Sequence, residues 1–272
     1  MTTSTNERNT DAKGSYAEVH GLKMYYEIRG TGKPLVLLPG GLMTIGMMGQ
    51  IVPDLAKTRQ VIAVELQGHG HTADIDRTLT YEHMADDIAA LIKHLGLEHT
   101  DVFGFSAGGN VALQTAIRHP EVVRKLVVAS APYKSDGEYP EIRALMASFN
   151  AESSVLSQNR EAYVSTAPKP EDWPQFVAKL RPLLTEDYDW SEDVAAIQAP
   201  TLIVVGDADT VLPTHAEELF GLLGGGKAAS AMGNLSNAQL AMLPGTTEFS
   251  MLARIDLLLA IITPFLDAPM PD

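Results

Sequence analysis

The chain has 272 residues, of which 45% are hydrophobic and 20% are charged, as in a globular protein with a sizeable core. Its formal net charge of −14 disfavours nucleic acid and anionic membrane surfaces as partners. The lack of cysteine excludes disulfides, thiolate metal sites and a cysteine nucleophile. No apolar run is long enough to span a membrane, and the polar first residues do not resemble a secretion signal, so we expect a cytoplasmic protein.

Short aliphatic runs alternate along the chain with longer segments of helical period. This alternation predicts an α/β fold, with a mostly parallel sheet and helices on both of its faces. After an opening hairpin over 16–20 and 22–28, we predict strands at 34–38, 61–66, 102–105, 125–130, 201–205 and 239–243, and helices at 81–95, 107–118, 214–223 and 251–265.

One stretch breaks the alternation because it holds both tryptophans, several prolines and no clear strand. Its apolar side chains, among them Phe149, Phe176 and Leu180, need a surface to bury against, so we interpret it as a helical cap over the strand ends. A loosely packed surface excursion is the alternative. The predicted organisation is a disordered tail over 1–14, a core over 15–131 and 191–272, a cap insertion over 132–190, and a flexible glycine-rich loop over 224–236.

The sequence Gly-Phe-Ser-Ala-Gly at 104–108 lies between a predicted strand and a predicted helix. In a nucleophile elbow, glycines on either side of the serine prevent a clash in the tight turn, and the turn lifts the hydroxyl out of the sheet. Free N–H groups at the helix start also favour negative charge there. The context therefore predicts Ser106 as a nucleophile, whereas a glycine-rich turn with an incidental serine is the alternative.

Acyl transfer also needs N–H donors for the oxyanion that develops on the substrate. One donor should be the backbone N–H of Ala107, directly after the nucleophile. The second should come from the glycine-rich loop after the 34–38 strand, where the backbone can approach a substrate closely. We predict Gly41, with Leu42 as the second choice and a plain tight turn as the alternative.

In proteins with a nucleophile elbow, the serine is followed along the chain by an aspartate or glutamate and then by a histidine. The acid should therefore lie after the 201–205 strand. Asp207 and Asp209 compete for this role. The sequence favours Asp209, which lies farther out on the loop, with Asp207 as a residue that stabilises the turn.

Five motifs follow one another between residues 16 and 266. They are Pro-Gly-Gly at 39–41, Gln-Gly-His-Gly-His at 67–71, the elbow, Gly-Asp-Ala-Asp at 206–209 and Leu-Pro-Gly-Thr-Thr-Glu-Phe at 243–249. With these motifs in this order, the chain resembles the haloperoxidase, esterase and lactonase branch of the α/β-hydrolases. The resemblance implies the α/β-hydrolase fold, with a mostly parallel eight-stranded sheet, flanking helices and a small helical cap. We expect neither a cofactor nor a metal, because phosphate loops and metal-ligand clusters are missing from the sequence.

The last motif departs from the family at its most important position. Members of the branch have a histidine, the general base, where this chain has Glu248, so the resemblance implies Ser106, Asp209 and Glu248 as the catalytic set. Rescue by His69, His71 or His215 is an alternative. The glutamate is an engineered substitution, a natural departure with retained activity, or a natural loss of activity, and the sequence does not separate these explanations.

The predicted function is a serine hydrolase that cleaves carboxylic esters or lactones through an acyl-enzyme, with acyl-homoserine lactones as one family-level candidate. Its activity should be impaired, because a carboxylate is a weaker base than imidazole by roughly 3 kcal/mol. The alternatives are a cofactor-free perhydrolase of the haloperoxidase type and a non-catalytic protein that binds a small ester or lactone. The residues predicted to contact substrate are apolar, namely Leu42, Met43, Phe105, Val211, Leu212 and Phe249.

Overall fold

A computed structural model describes residues 13–228, 232–233 and 236–270. The predicted tail lies outside this range except for its last two residues, Lys13 and Gly14, which belong to the first strand. Parts of the predicted loop over 224–236 also lie outside the described residues. The strands are β1 (Lys13–Val19), β2 (Leu22–Arg29), β3 (Lys33–Leu38), β4 (Arg59–Val64), β5 (Thr100–Phe105), β6 (Val123–Ala129), β7 (Thr201–Gly206) and β8 (Ala238–Leu243).

All eight strands form one sheet in the order β1-β2-β4-β3-β5-β6-β7-β8. The opening hairpin of β1 and β2 is antiparallel, and β2 joins β4 in the same sense. From β4 to β8 every neighbouring pair is parallel. The predicted α/β-hydrolase fold is therefore confirmed, and the carboxyl ends of β3, β5 and β7 open on the same edge of the sheet.

Helices cover both faces of the sheet, as the alternating pattern predicts. The strand side chains alternate between two buried clusters, with Val36 and Val102 on one face and Leu37 and Phe103 on the other. The α-helices are α1 (Ile51–Leu55), α2 (Tyr81–His94), α3 (Ala107–Arg118), α4 (Pro140–Ala147), α5 (Ser157–Thr166), α6 (Trp173–Thr185), α7 (Ser191–Val194), α8 (Pro213–Leu222), α9 (Glu248–Met251) and α10 (Ile255–Asp267).

The helix predicted over 251–265 is two helices. Thr247 begins the short α9 by accepting the N–H of Ser250, and Arg254 then leaves helical geometry before α10. Leu258, Ile262 and the last turn of α10 are buried at helical spacing against the sheet. Because of this break, α9 is a separate short helix, and Glu248 is its first residue.

Helices α4, α5 and α6 lie between β6 and β7, in the stretch where the sequence predicts a helical insertion. The ring of Phe176 meets the ring of His69 edge to face, with 4.9 Å between the centroids. Lys179 Nζ binds the carboxylate of Asp74 at 2.7 and 2.9 Å. The insertion is thereby attached to the loop that follows β4. None of the helices within the described ranges is long and apolar enough to cross a membrane.

Candidate active site

Ser106 lies in a strained turn between β5 and α3. Its φ of 53° and ψ of −127° fall outside the regions that side chains other than glycine normally adopt. The turn is fixed by the Ser106 N–H, which donates to the carbonyl of Ala129 at 2.8 Å. Because the backbone bonds hold this conformation, the hydroxyl is directed away from the sheet at its carboxyl edge.

Two glycines make this turn possible. A Cβ on Gly104 would lie 2.1 Å from the carbonyl oxygen of Gly108, and a Cβ on Gly108 would lie 2.3 Å from that of Leu38. Contacts this short with backbone atoms cannot be relieved by moving a side chain. The glycines predicted from the elbow motif are therefore required by packing between β3, β5 and α3.

The loop after β3 places Gly41 next to the elbow. A Cβ on Gly41 would lie 3.5 Å from the Cβ of Ala107, so the two predicted oxyanion residues are neighbours. Ala107 is the first residue of α3, and an N–H at that position has no acceptor within its own helix. Met43 closes the turn by donating to the carbonyl of Gly40 at 3.2 Å. The backbone of this loop can thus approach an acyl group above Ser106.

Asp209 is buried on the loop that follows β7. One oxygen of its carboxylate accepts from Ser130 Oγ at 2.8 Å and from the N–H of Gly206 at 2.9 Å. By contrast, Asp207 accepts the N–H of Thr246 at 3.1 Å and joins this loop to the one after β8. Asp209 is thus buried within its loop, whereas Asp207 links two loops; the role of Asp209 as the catalytic acid stays a prediction.

Glu248 reaches the same place from the loop after β8. Its side chain is buried and accepts a hydrogen bond from the hydroxyl of Thr210, next to Asp209 in the chain. Burial raises the pKa of Glu248; the nearby hydroxyls of Ser106 and Thr210 oppose this increase, whereas the charge of Asp209 adds to it. Ser106, Asp209 and Glu248 are therefore brought together, and Glu248 holds a proton more readily than an ordinary glutamate.

A third carboxylate, Glu138, faces this group from the segment before α4. It forms an antiparallel bridge with Val211, two residues beyond Asp209. Burial, followed by the charge of Glu248, raises the pKa of Glu138 to about 7, although Arg143 opposes the increase. The sequence analysis missed this residue because a glutamate in a polar segment gives no signal of its distant neighbours.

The three histidines considered as substitute bases have other partners. His69 Nδ1 lies 3.0 Å from the carbonyl of Gln67, and His71 Nδ1 lies 2.9 Å from Glu65. His215 Nε2 accepts the N–H of Tyr133 at 3.1 Å, an arrangement that suits its neutral form.

Burial lowers the pKa of both His69 and His215 to about 4. Within the described residues, which include all eight histidines, none forms a hydrogen bond with Ser106, Asp209 or Glu248. Rescue of the base by a histidine therefore has no support in the structure.

The residues predicted to contact substrate have different surroundings. Leu42, Met43 and Leu212 are partly buried near the site, and Val211 is buried behind the acid loop. Phe105 packs in the core on the α10 face of the sheet. Phe249 is 82% exposed and points to solvent, which differs from the enclosed pocket wall that the sequence suggested.

Comparison with known proteins agrees with the fold. The family profile for the alpha/beta hydrolase fold matches residues 33–154. A putative carbamate hydrolase, RutD, of Azorhizobium caulinodans is 26% identical over 229 residues, which cover 75% of this chain and 84% of that protein. The serine hydrolase BPHL of Mus musculus is 27% identical over 213 residues, which cover 74% and 72% of the two chains.

Among solved structures, a meta-cleavage product hydrolase of Pseudomonas fluorescens aligns with a TM-score of 0.71 and 21% identity, over 94% of this chain and 97% of that one. These comparisons support the α/β-hydrolase superfamily and a general hydrolase activity. Of the described residues, no three acidic or histidine side chains are placed to hold a metal ion.

Proposed function

We propose that the chain hydrolyses carboxylic esters or lactones, with Ser106 as the nucleophile and Glu248 as the general base. The observation that carries this proposal is the buried Glu248 carboxylate beside the Ser106 hydroxyl. A base must lie within hydrogen-bond reach of the proton that it removes, and its pKa should approach the working pH. Burial raises the pKa of Glu248, so its proton affinity comes closer to that of imidazole.

The reaction begins when Ser106 Oγ bonds to the substrate carbonyl carbon and its proton passes to the Glu248 carboxylate. The N–H groups of Gly41 and Ala107 bind the oxyanion. When the tetrahedral intermediate collapses, protonated Glu248 returns the proton to the leaving alkoxide. Glu248 next deprotonates water, which attacks the acyl-enzyme, and the proton then goes back to Ser106 as the acid is released.

Asp209 keeps a role in this scheme although the base is not a histidine. A negative charge beside imidazole stabilises its protonated form. The same charge beside a carboxylate destabilises the ionised form, so that in both cases the proton affinity of the base rises. The charge of Asp209 does raise the pKa of Glu248. What Glu248 lacks is the higher intrinsic basicity of imidazole, so we expect slow turnover.

The test is a substrate panel on four proteins: the chain itself, Ser106→Ala, Glu248→Gln and Glu248→His. The panel contains p-nitrophenyl acetate and butyrate, γ-butyrolactone, an acyl-homoserine lactone and a phenyl carbamate, the last because one relative is a putative carbamate hydrolase. We expect slow hydrolysis that Ser106→Ala and Glu248→Gln abolish.

Two outcomes would overturn the proposal. The first is the absence of hydrolysis in both the chain and Glu248→His, together with a Ser106 that resists organophosphonate labelling. The second is tight binding of a lactone without turnover, which would instead favour a non-catalytic binding protein.

A further inference from the structure

The turn that carries Gly41 and Leu42 is held from both sides. On the side of the core, Glu65 is 2% exposed and accepts the N–H of Ile45 at 3.1 Å. On the other side, Asn159 Nδ2 donates to the carbonyl of Leu42 at 3.0 Å. Asn159 belongs to α5, so this second bond joins the helical insertion to the oxyanion loop.

Leu42 adopts a conformation that it would not choose by itself. Its φ is +61°, in the left-handed region, which costs a side chain such as leucine roughly 1 kcal/mol. Positive φ at the second central position, with the bond from Met43 to Gly40, is the pattern of a type II turn.

The bond from Asn159 holds the carbonyl of the Leu42–Met43 peptide, and Gly40 holds the N–H of the same peptide. The backbone directly after Gly41 and Leu42 is therefore held at two points. Without the bond from Asn159 the strained turn would be freer to move, and the N–H group that an oxyanion needs would move with it.

We propose that Asn159 is a positioning residue, which holds the turn after β3 so that the Gly41 N–H stays directed at the reacting carbonyl. The inference rests on the proposed function, because acyl transfer needs this donor for the oxyanion. Phe176 and Lys179 attach α6 to the neighbouring loop, and Tyr163 of α5 stacks on the ring of Phe176. Asn159 therefore acts from a helix that is itself supported.

The test compares Asn159→Ala with Gln158→Ala, a matched control at the next, exposed position of α5. Both are made in the chain and in Glu248→His. We expect Asn159→Ala to lower kcat for p-nitrophenyl butyrate about 10-fold, as for the loss of one hydrogen bond, with KM changed less than about 2-fold. Organophosphonate labelling of Ser106 should slow by a similar factor, and Gln158→Ala should change neither rate.

Hydrogen exchange of the Met43 N–H reports the turn without any need for turnover. We expect faster exchange in Asn159→Ala than in Gln158→Ala. Equal exchange in the two variants, or faster exchange with unchanged kcat and labelling, would overturn the inference. If the chain and Glu248→His neither turn over nor label, faster exchange only in Asn159→Ala would reject the proposed function and still support Asn159 as the residue that holds the turn.

Discussion

The two ends of the parallel strands bury carboxylates in opposite surroundings. At the amino ends, Asp101 is fully buried and accepts bonds from Arg59, at 3.3 Å, and from Arg124. Arg59, itself 1% exposed, also binds Asp267 at the end of α10. Here Arg59 and Asp101 each face opposite charges, and the network joins three strands to the last helix.

At the carboxyl ends, Glu248 meets hydroxyl groups and other carboxylates. Thr210 donates to it, and the negative charges of Asp209 and Glu138 lie nearby. Like charges in a buried site cost stability, but they raise proton affinity, which is the property that a general base needs. The comparison teaches that buried charges meet opposite charges at one end of the sheet, and hydroxyl groups and like charges at the other.

We expect the largest effect from a variant that removes an ion pair at the amino ends of the strands. Arg59→Met leaves the Asp101 carboxylate buried with one cation fewer, so the free energy of unfolding should fall by about 3–5 kcal/mol. Urea unfolding at neutral pH measures this loss, and esterase activity per folded molecule should stay unchanged.

The control for Arg59→Met is Lys93→Met, which breaks an ion pair with Glu121 whose partners are both more than half exposed. It should cost less than about 1 kcal/mol. If the two variants lost the same free energy of unfolding, the buried ion pair at the amino ends would contribute no more than an exposed one, which would contradict the comparison.

Replacing the base should give the largest catalytic effect. Glu248→His restores a stronger base beside Ser106 and Asp209, and we expect kcat/KM for p-nitrophenyl butyrate to rise about 100-fold, or about 2.7 kcal/mol. On the acid side of the pH–rate profile, the fall in rate should then follow protonation of the new histidine. Indistinguishable rates for the chain, Glu248→His and Glu248→Gln would show that residue 248 is not the base.

Glu138→Gln tests the carboxyl ends of the strands through the dependence of stability on pH. The pKa of Glu138 is raised from 4.5 to about 7, so ionisation of this group destabilises the folded state as pH rises through that window. Below pH 4.5 both side chains are neutral and the two proteins should be equally stable. Above pH 7 the variant should be more stable by about 2 kcal/mol, a value reduced for partial exposure.

Urea unfolding between pH 4 and 8 measures the effect of Glu138→Gln. Glu141→Gln, exposed on the first turn of α4, provides the matched control and should show no such dependence on pH. A stability difference that stays constant from pH 4 to 8 would count against the role of the Glu138 charge.

The smallest effect concerns the hydroxyl that supports the base. Thr210→Val removes a donor that favours ionised Glu248, so the pKa of Glu248 should rise further. The acid limb of kcat/KM should move to higher pH by about 0.7 pH unit, equivalent to one hydrogen bond of about 1 kcal/mol. The control is Thr185→Val at the end of α6, where the hydroxyl donates to the carbonyl of Arg181 far from the site, and it should leave the profile in place. An acid limb that stays at the same pH in Thr210→Val would contradict this account.

Local rules account for much of what the sequence predicted correctly. Alternating aliphatic runs and helical periods identified the strands, the two layers of helices and most element positions. The elbow was readable because Gly104 and Gly108 are needed by atoms within a few residues or on the adjacent strand. The break between α9 and α10 was missed, because an uninterrupted apolar pattern does not show where the backbone leaves the helix.

The sequence by itself determined the fold class, the position of Ser106 and the unusual residue at 248. Only the tertiary structure decided which side chains surround that residue. Glu138 and Asn159 come from the insertion, and their partners lie on loops of the core far away in the chain. Spacing along a chain encodes backbone conformation and burial, whereas contacts between separate loops depend on how the whole sheet and its insertion pack together.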